Sequence, residues 1–180
     1  MPAKTEVRTE NTTLILDATA GNRTMWRQKD SENIIYIDVE RELERKPTVI
    51  CSNEKLPFPD KTFHTIFFDP PHAYGAPLSL HSQPNRRRFK QLYPNQKYVT
   101  TYYGWERYKT KHQLITHIYK AQKELARVLI DTGLLWFKWC EVEITLNKIL
   151  TVLTEWRELM RIHVKSPLQT AGKVQTYWLC

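Results

Sequence analysis

Short apolar runs separated by polar, glycine- and proline-bearing turns fill the first half of the chain. Leu14-Ile15-Leu16, Ile34-Ile35-Tyr36-Ile37, Thr48-Val49-Ile50 and Phe63 to Phe68 are too short for stable helices. They are rich in β-branched and aromatic residues, so each predicts a buried strand. Between them, Thr24 to Lys29 and Glu40 to Lys46 predict short helices, the second stopped by Pro47. From His112 the period changes. Leu114, Ile118, Ala121, Leu125 and Val128 recur at steps of four and three, predicting an amphipathic helix over 112–130 with Lys120, Lys123 and Arg127 outward. Asp131-Thr132-Gly133 predicts its end, with Gly133 as the residue just beyond the cap. Leu134 to Trp139 predicts a fifth strand and Ile144 to Arg157 a further helix. Met160 to Val164 and Val174 to Leu179 predict a closing strand pair that forms an antiparallel edge. Strands alternating with helices at this spacing define an α/β chain with a mostly parallel sheet.

Charge changes the picture at one place. The chain has 180 residues, suited to one domain over 1–180, and a net charge of +8. Between His81 and Lys111 lie Arg86, Arg87, Arg88, Lys90, Lys97, Arg107, Lys109 and Lys111, eight cations against the single acid Glu106. This segment, about 73–110, has little regular pattern. It interleaves its cations with Phe89, Tyr93, Tyr98, Tyr102, Tyr103, Trp105 and Tyr108. A solvated linker carries few aromatics. Cations among aromatic rings suit phosphates and unpaired bases, so Arg86, Arg87, Arg88, Lys90, Tyr102, Tyr103 and Trp105 are the candidate nucleic-acid contacts. Residues 1–12 are polar and aperiodic and read as a loose arm. The chain shows no apolar run of membrane length and no charged-then-apolar leader, so a cytoplasmic protein without a membrane partner is expected. Three cysteines, Cys51, Cys140 and Cys180, are far apart and odd in number, which fits a reducing compartment. Neither they nor the six histidines show metal-ligand spacing.

The candidate chemistry lies where strands end. Asp69-Pro70-Pro71-His72 follows the Phe63–Phe68 run, and two prolines fix φ and remove backbone donors. The Asp69 carboxylate is thereby held on a stiff turn at the carboxyl end of a strand, the edge where open α/β sheets bind ligands. Asp17-Ala18-Thr19-Ala20-Gly21-Asn22 follows the first strand with small residues that admit a ligand to the backbone. Asp38 ends the second strand, about 20 residues on, where a nucleoside-binding fold places its ribose-hydroxyl acceptor.

In this order and spacing the chain resembles the class I methyltransferases that use S-adenosylmethionine, and among them the amino-methyltransferases of adenine N6 and cytosine N4. Asp17 to Asn22 resembles the cofactor loop, Asp38 the ribose-binding acid, and Asp69-Pro70-Pro71-His72 the catalytic (Asp/Asn/Ser)-Pro-Pro-aromatic motif. Leu56-Pro57-Phe58-Pro59-Asp60 with Phe63 resembles the link that precedes the catalytic strand. The resemblance implies a Rossmann-like fold with a seven-stranded, mostly parallel sheet and an antiparallel C-terminal edge strand. It implies S-adenosylmethionine as cofactor, with Ser52 and Asn53 beside its adenine, and no metal. Asp69 and a Pro-Pro carbonyl would accept the target amine's N–H bonds, and His72 would stack on the base. Asp in the first motif position points to adenine N6, in DNA before RNA; RNA guanine N2 enzymes have similar turns. The competing readings are a protein or small-molecule substrate, and a methyltransferase-like nucleic-acid-binding subunit without catalysis.

The basic segment generates a test independent of any fold. Replacing Arg86, Arg87 and Arg88 with Ala is expected to weaken nucleic-acid binding and flatten its salt dependence, by about 0.7–0.9 of a log–log unit per lost phosphate contact. Titrations at several salt concentrations check this; an unchanged slope removes these arginines from the interface.

Overall fold

The structure, a computed structural model, describes residues 14–74, 107–164 and 175–180. The apolar runs form the strands they predict: β1 (Ile15–Asp17), β2 (Ile34–Asp38), β3 (Val49–Ile50) and β4 (Phe63–Phe68). Helix α1 (Lys111–Val128) leads directly into β5 (Leu129–Cys140). Helix α2 (Leu146–Leu150), β6 (Arg161–Val164) and β7 (Thr176–Leu179) follow. One seven-stranded sheet runs β3-β2-β1-β4-β5-β7-β6. β1 pairs in parallel with both β2 and β4, and β4 with β5; β7 is antiparallel to β5 and to β6. The antiparallel end of the sheet is therefore present, with β7 one place in from the margin that β6 forms. From β1 the chain steps outward through β2 and β3, then returns to the other side of β1 for β4. That reversal opens a crevice at the carboxyl ends of β1 and β4.

Helix α1 begins as its sequence dictates. Thr110 is extended and its hydroxyl accepts the Gln113 N–H, while the Gln113 side chain accepts the Lys109 N–H at 2.7 Å. Its buried face contains Leu114, Ile118, Ala121, Leu125 and Val128, and they pack with Leu16, Ile66, Phe68, Phe137 and Trp139 of the sheet. Side chains alternate across a strand. The opposite sheet face thus carries Ile15, Tyr36, Phe67, Trp136 and Trp178, with Trp26 edge-on to Tyr36 and Phe67 and the Trp136 ring stacked on Phe67. Among the described residues, no helix covers that face.

Four expectations are corrected. Residues 24–29 and 40–46 are turns and bends. In the first, the Arg23 guanidinium bonds the Lys29 and Lys46 carbonyls and Asp30, holding the chain in a non-helical path. The second has Leu43 as its one large apolar side chain, too little to offset helix nucleation. Helix α2 is shorter than 144–157 because Gln122 of α1 captures the next segment. Its amide bonds the Val152 carbonyl at 2.6 Å and accepts the Glu155 N–H at 3.1 Å. Gly133, finally, is no helix terminator. Leu129 is already extended, and Gly133 lies inside β5 where the register against β4 slips between Phe63 and Thr65. A Cβ there would sit 2.6 Å from the Leu129 side chain and 2.9 Å from the His64 carbonyl oxygen. Gly133→Ala is expected to cost about 1–3 kcal/mol through overpacking. Chemical denaturation checks it, and wild-type stability in the variant would mean that Leu129 and the His64 peptide retreat freely.

Candidate functional site

A cavity of about 470 Å³ opens over the carboxyl ends of β1 to β4. Its size is that of a small-molecule or cofactor site. The turn after β1 forms one wall and is tied down on three sides. Ala18 N–H bonds the Phe67 carbonyl at 2.9 Å, Ala20 N–H the Ile37 carbonyl at 3.0 Å, and the Ala18 carbonyl accepts from the Asn53 amide at 3.2 Å. Gly21 has φ +48, a left-handed conformation that a side chain disfavours, although a Cβ would meet nothing within 4 Å. Backbone conformation, not space, therefore favours the glycine. This bend points the Gly21 N–H at Asp38 Oδ2, 2.9 Å away, while Asp38 Oδ1 accepts the Glu40 N–H. Across the crevice, Asp69 N–H donates to the Thr19 hydroxyl at 2.8 Å, joining the β4 turn to the β1 turn.

Most of the residues expected at a cofactor site share this cavity: Ala18 to Asn22, Asp38, Ser52, Asn53 and Asp69, with Pro70 and Pro71. Asn53 is buried and its Oδ1 has no partner, leaving an acceptor beside the space. Two expected residues lie off the wall. Asp17 is 1% exposed, beneath the turn it supports. Its oxygens accept the Thr19 N–H at 3.2 Å and the Trp26 indole N–H at 2.6 Å. Burial pushes its carboxyl up to about 7, with the charges of Asp69 and Asp38 adding to the rise and the two hydrogen bonds opposing it. His72, expected to stack on a base, is turned inward. It is 7% exposed, edge-on to Trp139, with Nε2 at 3.1 Å from Asp69 Oδ1. The proline turn that fixes Asp69 directs the next side chain into the core. Arg86, Arg87, Arg88, Lys90, Tyr102, Tyr103 and Trp105 lie outside the described residues.

Sequence reasoning missed two groups. Lys138 of β5 places Nζ 2.5 Å from Asp69 Oδ2. Burial raises the Asp69 carboxyl, but His72 and Lys138 together outweigh it and hold the group below the usual carboxylate range. The available signal was a lone cation inside the apolar run Leu134–Cys140. At the opposite wall, Glu54 contacts His117 Nδ1 at 2.7 Å, and Tyr108 packs its ring 5.0 Å from that imidazole. Burial holds His117 below its ordinary range despite Glu54. Tyr108, from the end of the basic segment, thus belongs to the body, with Arg107 beside it on the cavity wall.

No protein-family model matches the chain, and no curated protein matches it. Among the described residues no group of three or more His, Cys, Asp or Glu is placed to hold a metal ion, and no helix is long and apolar enough to cross a membrane.

Asp17 gives the site a pH signature. Its folded carboxyl is raised from 3.8 to about 7, so its contribution to stability is fully present below about 3.8 and is lost as pH rises through 7. The loss is on the order of 4 kcal/mol. Asp17→Asn removes this titration at the cost of one acceptor. Relative to wild type, the variant is expected to gain stability between pH 5 and 8.5 in denaturant melts; a constant difference would mean that Asp17 is ionised throughout.

Proposed function

We propose that the protein is an S-adenosylmethionine-dependent methyltransferase that modifies an exocyclic amine of a nucleic-acid base, adenine N6 in DNA first. One observation carries the reading: the cofactor-like turn, Asp38 and the Asp69-Pro70-Pro71 turn meet around one cavity at the strand-order reversal of a mostly parallel sheet. The residues fit the cofactor. Gly21 keeps the turn close and open, Asp38 retains lone pairs for ribose hydroxyls, and the unpartnered Asn53 Oδ1 suits an adenine amino group. When bound, S-adenosylmethionine supplies an electrophilic methyl group on sulfonium sulfur.

The protein's part is positioning and charge. A base amine is a poor nucleophile because its lone pair is delocalised into the ring. The Asp69 carboxylate, held ionised, accepts an N–H of that amine, and a carbonyl of the proline turn accepts the other. Both stabilise positive charge as it grows on nitrogen. Holding the amine in line replaces much of the barrier by prior ordering. With His72 buried, stacking on the target base falls to the aromatic residues of 73–110. The inward His72 also favours a second reading, a methyltransferase-like nucleic-acid-binding subunit without catalysis.

The deciding experiment is transfer of a labelled methyl group from S-adenosylmethionine to DNA, RNA and protein pools, followed by nucleoside mass spectrometry. N6-methyladenine in DNA is expected. Asp69→Ala is expected to lower the single-turnover rate by about 10²–10³ per folded molecule with cofactor affinity nearly unchanged. Nucleic-acid binding with neither cofactor binding by calorimetry nor methyl transfer to any pool moves the assignment to the non-enzymatic subunit.

A further inference from the structure

Three carboxylates, Asp17, Asp38 and Asp69, end adjacent strands at the candidate site. Among the described residues, Lys138 is the one lysine or arginine in an ion pair with any of them. Its place is fixed by the sheet. Phe137 is in register with Phe68, so Lys138 stands one residue further along, level with Asp69. On the other side Lys138 is in register with Trp178 of β7, and Nζ lies 6.0 Å from that ring. The pair is half-buried, with side-chain exposures of 27% and 22%. Such a contact is screened less than a surface pair.

We propose that Lys138 is a positioning residue of the site: its ammonium fixes one Asp69 oxygen and balances its charge, so that the carboxylate meets an incoming base amine as an oriented acceptor. A carboxylate offers about four lone-pair positions. His72 takes one on Oδ1 and Lys138 one on Oδ2, and Asp69 still borders the cavity. The groups facing Asp69 are Thr19 and Asp17 from β1 and its turn, His72 from its own turn, and Lys138 and Cys140 from β5. Asp17 opposes ionisation of Asp69, and His72 assists it with full charge only when protonated. Lys138 brings its ammonium to 2.5 Å from Asp69 Oδ2, the shortest contact that carboxylate makes among these groups.

The inference rests on the methyl-transfer reading, and its test separates the two. Wild type, Lys138→Met and Lys138→Arg are compared by carbon-13 NMR titration of the Asp69 carboxyl. The pH profile of single-turnover methyl transfer is measured in parallel, from labelled S-adenosylmethionine to an adenine-containing DNA oligonucleotide pool. In Lys138→Met the carboxyl midpoint and the acid limb of the rate are expected to rise together by about 1 pH unit or more. Lys138→Arg restores both, and cofactor affinity stays constant. A variant that only melts earlier, with midpoint and limb unmoved, overturns the proposal, as does a shifted midpoint with an unshifted limb. If wild type transfers no methyl group, the functional reading falls, and the carboxyl titration alone decides whether Lys138 governs Asp69.

Discussion

The site depends on the seam between the turns that follow β1 and β4. Ala18 N–H meets the Phe67 carbonyl, and Asp69 N–H meets the Thr19 hydroxyl. Parallel neighbours of this kind end at the same level, so any carboxylates at their ends are forced close together. The arrangement is costly, since like charges in a partly dehydrated space repel. The protein meets that cost differently at each acid. Asp17 is buried and drawn toward its neutral form, Asp38 is bonded by backbone N–H groups of its surroundings, and Asp69 is paired with a cation. Each solution follows from the seam.

Much of this was legible in the residues. Short runs of β-branched and aromatic residues form the strands they predict, and the α1 pattern named the five apolar residues of its buried face but not His117 and Gln122, which are buried beside them through polar partners. The small-residue turn with Gly21 and the proline-stiffened Asp69 were legible for the same reason: each is a local constraint written in consecutive residues. What escaped was set by distant partners. Lys138 and Asp69 are 69 positions apart, Gln122 stops α2 from across the core, and Arg23 diverts its own segment by bonding Lys46. Gly133 carried a terminator's signal and served instead to admit Leu129 and the His64 carbonyl against the backbone. The order of a motif also does not give the direction of His72, which lies turned inward and edge-on to Trp139.

The sheet's two faces are built unequally. One is closed by α1 and α2 with aliphatic side chains; the other is a row of aromatic rings running from Tyr36 through Phe67 to Trp136 and Trp178, with Trp26 laid across it. Rings in edge-to-face and offset contact add stabilisation beyond the area they bury, so the contacts of Trp26, Phe67, Trp136 and Trp178 order this face among themselves.

Trp26 gives that row a further property. Its indole N–H is held at 2.6 Å by Asp17, whose carboxyl titrates near neutrality beneath the turn. The excited state of indole has a large dipole and responds to charge at this distance. The emission of this tryptophan, one of six in the chain, therefore carries a component that follows the charge under the site. Ligand occupancy that alters the Asp17 proton becomes visible as light.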